Sequence, residues 1–144
     1  MIISTQLSQL DEIIAIENIS FEKPWTRSQI KDDIQANINS ENWVFIEDEK
    51  VVGYIFGWII QNEFHLYNIA VHPNHQRKKI ARKLIQHIIL RVAIQKVNVI
   101  LLEVSVNNIS ARKCYQSLGF IQTGIRKDYY SKGDDAILYN LEIN

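Results

Sequence analysis

The chain has 144 residues, of which 47% are hydrophobic and 22% are charged, and 16 basic residues balance 16 acidic residues. This composition predicts a globular domain with its own core and argues against intrinsic disorder. The net charge of zero excludes nucleic-acid binding driven by overall positive charge, and the single cysteine, Cys114, excludes an internal disulfide. No apolar segment reaches membrane-spanning length, so we expect one cytoplasmic domain over residues 1–144.

Two helices are predicted before the first strand. Ser8 and Asp11 have the spacing of a capping box, and the apolar residues behind them predict a helix that runs to about Ser20. Thr26 and Gln29 repeat this spacing and predict a second helix that carries the apolar positions 30, 34 and 38. The segment FEKPW, at 21–25, connects the two helices.

The next part of the chain is rich in β-branched and aromatic residues. Residues 42–72 predict three strands of an antiparallel meander, because the charged residues gather at two turns, EDEK and QNE. An apolar stripe from Lys79 onward predicts a helix, and the nearly continuous apolar segment 97–104 predicts a buried strand.

The last third of the chain predicts a short helix and a hairpin. Asn108 is a suitable N-cap for the helix, and Gly119 stands past its end. Residues 120–130 and 135–143 predict the two strands of the hairpin. The whole order predicts an α/β (α+β) fold of three layers, in which a mixed, mostly antiparallel sheet is flanked by helices.

A basic run lies at the start of the helix predicted from Lys79. It contains five cations: Arg77, Lys78, Lys79, Arg82 and Lys83. Cations at a helix N-terminus oppose the helix dipole, at a cost of roughly 0.3–1 kcal/mol each. A bound anion such as a diphosphate would reverse this effect, because backbone N–H groups, dipole and side chains would all attract it. A solvated helix face and an RNA-binding patch remain open as alternatives.

Two segments carry a family resemblance. NIAVHPNHQRKKIARKLI, at 68–85, and LLEVSVNNISARKCYQSLGF, at 101–120, resemble the two signature segments of the GCN5-related N-acetyltransferase (GNAT) family. The segments FEKPW, LYNIAVHP, LLEV, IRKDYY and DDAILYNL further resemble the bacterial ribosomal-protein alanine N-acetyltransferases of the RimI type. The resemblance covers nearly the whole chain and implies a GNAT-like fold and a single N-acetyltransferase domain.

The resemblance implies acetyl-CoA as co-substrate, with its diphosphate at the basic turn and its pantetheine arm along the preceding strand. The implied acetyl-CoA-binding residues are Ile69, Ala70, Val71, Arg77, Lys78, Lys79, Ile80, Ala81, Arg82 and Asn108. Lys79 stands where the family pattern has Gly, and its Cβ restricts the backbone conformation there. No metal is expected, because His72 and His75 have no Cys or carboxylate partner at ligand spacing.

Glu103 and Tyr115 are the candidate acid–base pair for acetyl transfer. Glu103 continues the strand face formed by positions 97, 99 and 101, and Tyr115 shares a helix face with positions 111 and 118. Taken alone, these patterns also fit a solvent-facing glutamate at a strand end and an ordinary core tyrosine. The resemblance implies that Glu103 is the general base, acting through water, and that Tyr115 is the general acid.

The resemblance also implies the acceptor, which is the N-terminal alanine of a small-subunit ribosomal protein. The expected peptide-binding residues are Pro24, Trp25, Tyr129 and Tyr130. We expect a protein N-terminus as partner, no direct contact with nucleic acid or membrane, and a monomer or weak dimer. Acetylation of another amine, on a small molecule or a lysine, remains an alternative, as does a non-catalytic binding module.

Overall fold

A computed structural model describes residues 1–143 and places one mixed sheet between two layers of helices. The strands are β1 Ile2–Ser4, β2 Ser40–Glu47, β3 Lys50–Ile60, β4 Glu63–Val71, β5 Val99–Ser105, β6 Ile121–Ser131 and β7 Asp134–Glu142. The helices are α1 Leu10–Ser20, α2 Arg27–Gln35, α3 Ile80–Ala93 and α4 Ile109–Ser117. None of the helices in this part of the chain is long and apolar enough to cross a membrane.

The strand order in the sheet is β1-β2-β3-β4-β5-β7-β6. All neighbours pair in antiparallel fashion except β4 and β5, which are parallel and are joined through α3. The predicted fold class, the meander and the closing hairpin are therefore confirmed. The prediction missed β1, a strand of three residues that pairs with the distant β2.

The ends of the first two helices differ in part from the prediction. The Thr26 capping box is confirmed: Thr26 Oγ1 accepts from the Gln29 N–H at 3.2 Å, and Gln29 Oε1 accepts from the Thr26 N–H at 2.8 Å. The Ser8 capping box is wrong, since a box between Gln6 and Gln9 opens a short 3-10 turn before α1. The extension of α2 to residue 38 is also wrong, because the side chain of Asn37 accepts from the Asn39 N–H and forms a turn.

Each face of the sheet has its own core. On one face, the apolar stripe of α3 packs on alternate residues of β5, namely Ile100, Leu102 and Val104. On the other face, Ile13 and Ile16 of α1 pack on residues of β3 that include Tyr54 and Phe56. Full burial of one such apolar side chain stabilises the fold by about 1.5–3 kcal/mol, so the two cores hold the helices against the sheet.

A β-bulge in β4 opens the sheet. Phe56 pairs with Asn68 and Gly57 pairs with Leu66, so Tyr67 is an extra residue in β4. The extra residue reverses the side-chain alternation along β4. Leu66 belongs to the core on the α3 face of the sheet, whereas Ala70 belongs to the core on the α1 face. The pairing of β4 with β5 ends at Leu66, and the two strands border a gap beyond this point.

Candidate active site

A cavity of about 1150 Å³ occupies the gap between β4 and β5. Its walls come from the α1–α2 connection, β4, the turn before α3, the end of β5, α4 and the β6–β7 hairpin. The bulge and the loss of strand pairing expose the backbone of β4 at Ile69, Ala70 and Val71, which line the cavity. The edge of β4 that faces the gap has no strand partner at these residues, and it can accept an extended ligand in the manner of an added strand.

The basic run lies at one end of this cavity, but not all of it faces inward. Arg77, Lys79 and Arg82 line the cavity, together with Ile80 and Ala81. The first backbone hydrogen bond of α3 runs from the Lys83 N–H to the Lys79 carbonyl at 3.0 Å. The N–H groups of 80–82 therefore have no partner within the helix and can bind an anion with the surrounding cations.

The predicted start of α3 needs a correction. The helix begins at Ile80, so Lys78 and Lys79 precede it and do not lie in its first turn. Lys78 is not among the cavity-lining residues, and its Nζ lies 3.3 Å from Glu47 Oε1. Lys79 is the N-cap and has φ +62°, in the left-handed region that favours glycine. The side chain that replaces glycine is thus accommodated at a conformational cost of roughly 1–2 kcal/mol.

Glu103 lies at the end of β5 and lines the cavity. Its side chain is 31% exposed, and its Oε1 lies 3.4 Å from Nη1 of Arg126 on β6. Two tyrosines border the same region. Burial, together with the charge of Glu103, raises the pKa of Tyr67, and burial with the charges of Glu103, Tyr129 and Asp134 raises the pKa of Tyr130 to about 12. Glu103 is thus a carboxylate that solvent can still reach, among neutral phenols.

Tyr115 lines the cavity from α4 and is 5% exposed. Its ring centroid lies 5.7 Å from that of Phe120 and 6.2 Å from that of Tyr139. Burial raises the pKa of Tyr115, which keeps the phenol protonated and able to donate a proton. The same cause raises the pKa of the neighbouring Cys114 thiol, which argues against a nucleophilic role for it.

The remaining predicted residues are only partly brought together. Asn108 lines the cavity, and its side chain caps α4 by accepting from the Ala111 N–H at 3.2 Å. Trp25 and Tyr130 also line the cavity, whereas Pro24 and Tyr129 do not. Tyr129 instead packs edge-on against Tyr130 at a centroid distance of 5.1 Å.

Glu17, Tyr67 and Asn68 are among the cavity-lining residues that the prediction missed. Glu17 had a detectable signal, because it continues the apolar spacing of α1 although it carries a carboxylate. Tyr67 and Asn68 had none, since the bulge that exposes them arises from pairing with β3. Within 1–143, no group of three or more His, Cys, Asp or Glu residues could hold a metal ion.

Residues 10–120 match the Acetyltransferase (GNAT) family. The chain belongs to this family. The resemblance that the motifs indicated is confirmed, and this GNAT protein is an acetyltransferase with acetyl-CoA as its co-substrate.

Several relatives of this GNAT chain share a name, ribosomal protein bS18-alanine N-acetyltransferase. The protein of Escherichia coli (strain K12) is 34% identical over 106 residues, which cover 72% of each chain. That of Haemophilus influenzae is 29% identical over 134 residues, covering 92% of this chain and 90% of the relative. The crystal structure of the ribosomal-protein-S18-alanine N-acetyltransferase from Escherichia coli matches with a TM-score of 0.91 at 28% identity, covering 100% of this chain and 94% of that chain.

Proposed function

We propose that this enzyme transfers the acetyl group of acetyl-CoA to the N-terminal α-amine of a protein, with the N-terminal alanine of ribosomal protein bS18 as acceptor. The single observation that carries the proposal is the cavity that joins a basic turn at one end to Glu103 and Tyr115 beyond it. The names of the relatives support the choice of acceptor. The proposal includes one acetyltransferase domain over residues 1–144, a cytoplasmic location and a monomer or weak dimer.

The donor end of the cavity has the chemistry that acetyl-CoA requires. The N–H groups at the start of α3, with Arg77, Lys79 and Arg82, would bind the diphosphate. The edge of β4 at 69–71 that faces the gap and the Asn108 side chain would hold the pantetheine arm. Lys78 faces Glu47 and would act on the diphosphate only after this ion pair opens.

Glu103 and Tyr115 would perform the proton transfers. The peptide amine attacks the thioester carbonyl carbon, so a C–N bond forms and the C–S bond breaks. Glu103 accepts the proton that the amine nitrogen loses, through a water molecule, and Tyr115 donates a proton to the departing thiolate sulfur. Transfer of the proton on Glu103 to solvent and uptake of a proton by Tyr115 restore the enzyme.

The pKa of the acceptor favours an α-amine over a lysine. An α-amine has a pKa of about 7.7–8.0, so about a tenth is neutral at pH 7, whereas a lysine of pKa about 10.4 is neutral to about one part in a few thousand. A single carboxylate base is therefore better suited to an N-terminal amine than to a lysine, because a larger fraction of the N-terminal amine is already neutral. Trp25 and Tyr130 border the cavity and would contact the first residues of the peptide.

A peptide panel tests the proposal. It contains the bS18 N-terminal sequence, the same peptide with a blocked N-terminus and an internal lysine, and a polyamine. Mass spectrometry after incubation with acetyl-CoA should locate one acetyl group on the terminal alanine. Equal or faster modification of the blocked peptide or the polyamine would reject the proposed acceptor. Binding of RNA without any acetyl transfer would reject the catalytic role as well.

A further inference from the structure

Glu17 of α1 is a buried carboxylate at the wall of the active-site cavity, with 1% exposure. It accepts three hydrogen bonds: from Asn68 Nδ2 at 2.7 Å, from the Trp25 backbone N–H at 2.9 Å and from the Tyr54 hydroxyl. The donors belong to three different parts of the fold, namely β4, the α1–α2 connection and β3. Within the described chain, no lysine, arginine or histidine forms a salt bridge with Glu17.

Stability alone does not account for this carboxylate. A buried carboxylate without a cation as partner carries a large desolvation cost, which neutral donors offset only in part. Glu17 stands on the same helix as Ile13 and Ile16, whose side chains pack into the apolar core. An apolar residue at position 17, with apolar partners, would avoid the desolvation cost. The acid therefore needs a reason other than packing.

The hydrogen bond to Trp25 supplies this reason. The connection contributes Phe21, Glu22, Lys23 and Trp25 to the wall of the cavity. Its described backbone bonds to the rest of the fold lie only at the two ends of this segment. The Phe21 N–H bonds to the Glu17 carbonyl at 3.1 Å, and the Trp25 N–H bonds to the Glu17 carboxylate. Loss of the carboxylate would release the second end of this wall.

The donor side of the cavity does not depend on Glu17 in the same way. Asn68 and Ile69 pair with Phe56 and Ile55 of β3 through the antiparallel ladder. This ladder holds β4 whether or not the Asn68 side chain has its acceptor. Glu17 thus controls the acceptor wall more strongly than the strand that receives acetyl-CoA.

We propose that Glu17 is a positioning residue for the acceptor: its carboxylate fixes the backbone at Trp25 and so shapes the peptide end of the cavity. Glu17 makes no contact with the reacting atoms in this role. The inference rests on the proposed function, in which Trp25 belongs to the peptide-binding wall.

Glu17→Met removes all three acceptor interactions and tests the role by its separate effects on the KM of the peptide and the KM of acetyl-CoA. The KM of the peptide should rise by about tenfold or more, which matches the loss of a hydrogen bond to a charged group. The KM of acetyl-CoA should stay nearly unchanged. Glu17→Gln keeps one carbonyl oxygen for the Trp25 N–H and should give a peptide KM between those of Glu17→Met and the wild type. If Glu17→Met does not fold, Glu17→Gln decides the matter by the same criteria.

Ile16→Val is the matched control, because Ile16 adjoins Glu17 in sequence, is equally buried and has a side chain that cannot accept a hydrogen bond from the connection. It lowers stability through lost packing and should leave both KM values unchanged. Hydrogen exchange supplies a readout without substrate: the Trp25 amide should be protected in the wild type and in Ile16→Val, and should exchange faster in the Glu17 variants.

Two outcomes would overturn the inference. One is an unchanged exchange rate at Trp25 in the Glu17 variants. The other is a parallel rise of both KM values, as expected when the whole fold is weakened. Kinetics use the acceptor that the wild type acetylates fastest, so failure of the alanine peptide rejects only the proposed acceptor, and exchange at Trp25 still decides the role of Glu17.

Discussion

The guanidinium of Arg126 lies beside the carboxylate of Glu103, with 3.4 Å between Nη1 and Oε1. The Arg126 side chain is 55% exposed and that of Glu103 is 31% exposed, so solvent screens the pair. Such a pair stabilises a fold by less than about 1 kcal/mol. A substitution of Glu103 should therefore change the chemistry of the site without unfolding the chain.

Glu103→Gln keeps the shape of the side chain and removes the proton acceptor. We expect kcat to fall by about 10²-fold or more, because a general base contributes roughly 10²–10⁴-fold. Acetyl-CoA affinity and the free energy of unfolding should stay close to the wild-type values. Steady-state kinetics, calorimetry and urea unfolding measure the three quantities. A wild-type kcat in this variant would contradict the role of Glu103 as base.

Tyr115→Phe removes a hydroxyl that has no hydrogen-bond partner among the side chains of 1–143 and keeps the packing against Phe120 and Tyr139. The variant should therefore be about as stable as the wild type. It should bind acetyl-CoA normally and lose most of its turnover, by about 10²-fold, because the thiolate would leave without a proton. Rapid mixing with acetyl-CoA and peptide measures the chemical step. An unaltered rate of this step rules out Tyr115 as the acid.

Two substitutions of Lys79 separate the effect of its charge from the effect of its left-handed backbone conformation. Lys79→Ala removes the charge and keeps the Cβ at φ +62°, whereas Lys79→Gly removes both the charge and the conformational cost. We expect Lys79→Gly to exceed Lys79→Ala in the free energy of unfolding by about 1 kcal/mol. It should also bind acetyl-CoA more tightly than Lys79→Ala. Equal stabilities and affinities in urea unfolding and calorimetry would show that the left-handed conformation carries no cost.

Gly57 lies next to the bulge and allows close packing of Phe64. A Cβ at this position would stand 2.1 Å from Phe64 Cζ and 2.7 Å from the backbone oxygen of His65. Gly57→Ala should therefore lower the free energy of unfolding by about 1–3 kcal/mol. Gly124→Ala is the control, since its Cβ would meet only Leu138 Cδ2 at 3.9 Å. Similar stabilities of the two variants in urea would contradict this packing.

The raised pKa of Tyr130 predicts a loss of stability at alkaline pH. Its pKa is raised to about 12, first by burial and then by the charges of Glu103, Tyr129 and Asp134. In the unfolded chain a tyrosine has a pKa of about 10, so above this pH the unfolded state releases a proton that the folded state retains. The contribution of Tyr130 to the free energy of unfolding is therefore fully present below about pH 10 and is lost as the pH rises toward 12. Tyr130→Phe should show a shallower fall in urea titrations over this range, and an identical fall would refute the shift.

Local patterns predicted most of the fold, because the interactions that form these elements are themselves local. The Thr26 capping box and the Asn108 cap each involve residues three positions apart, and both are confirmed. The Ser8 box is wrong although its spacing is the same, because Gln6 and Gln9 form the box two residues earlier. Spacing alone does not decide which of two overlapping boxes forms.

The features that open the site depend on distant contacts and could not be predicted. The bulge at Tyr67 arises from the register of β4 against β3, which no local sequence pattern specifies. The orientation of Lys78, in the turn before α3, depends on Glu47 at the end of β2. Motif resemblance grouped Lys78 with the other cations of the turn, whereas the fold directs it toward β2.

A crystal structure of the enzyme with coenzyme A and an alanine-starting peptide tests the central claim most directly. The account predicts diphosphate oxygens within hydrogen-bond distance of the N–H groups of 80–82, and the peptide amine on the side of the cavity that holds Glu103 and Trp25. A diphosphate bound elsewhere, or a peptide amine remote from Glu103, would contradict it.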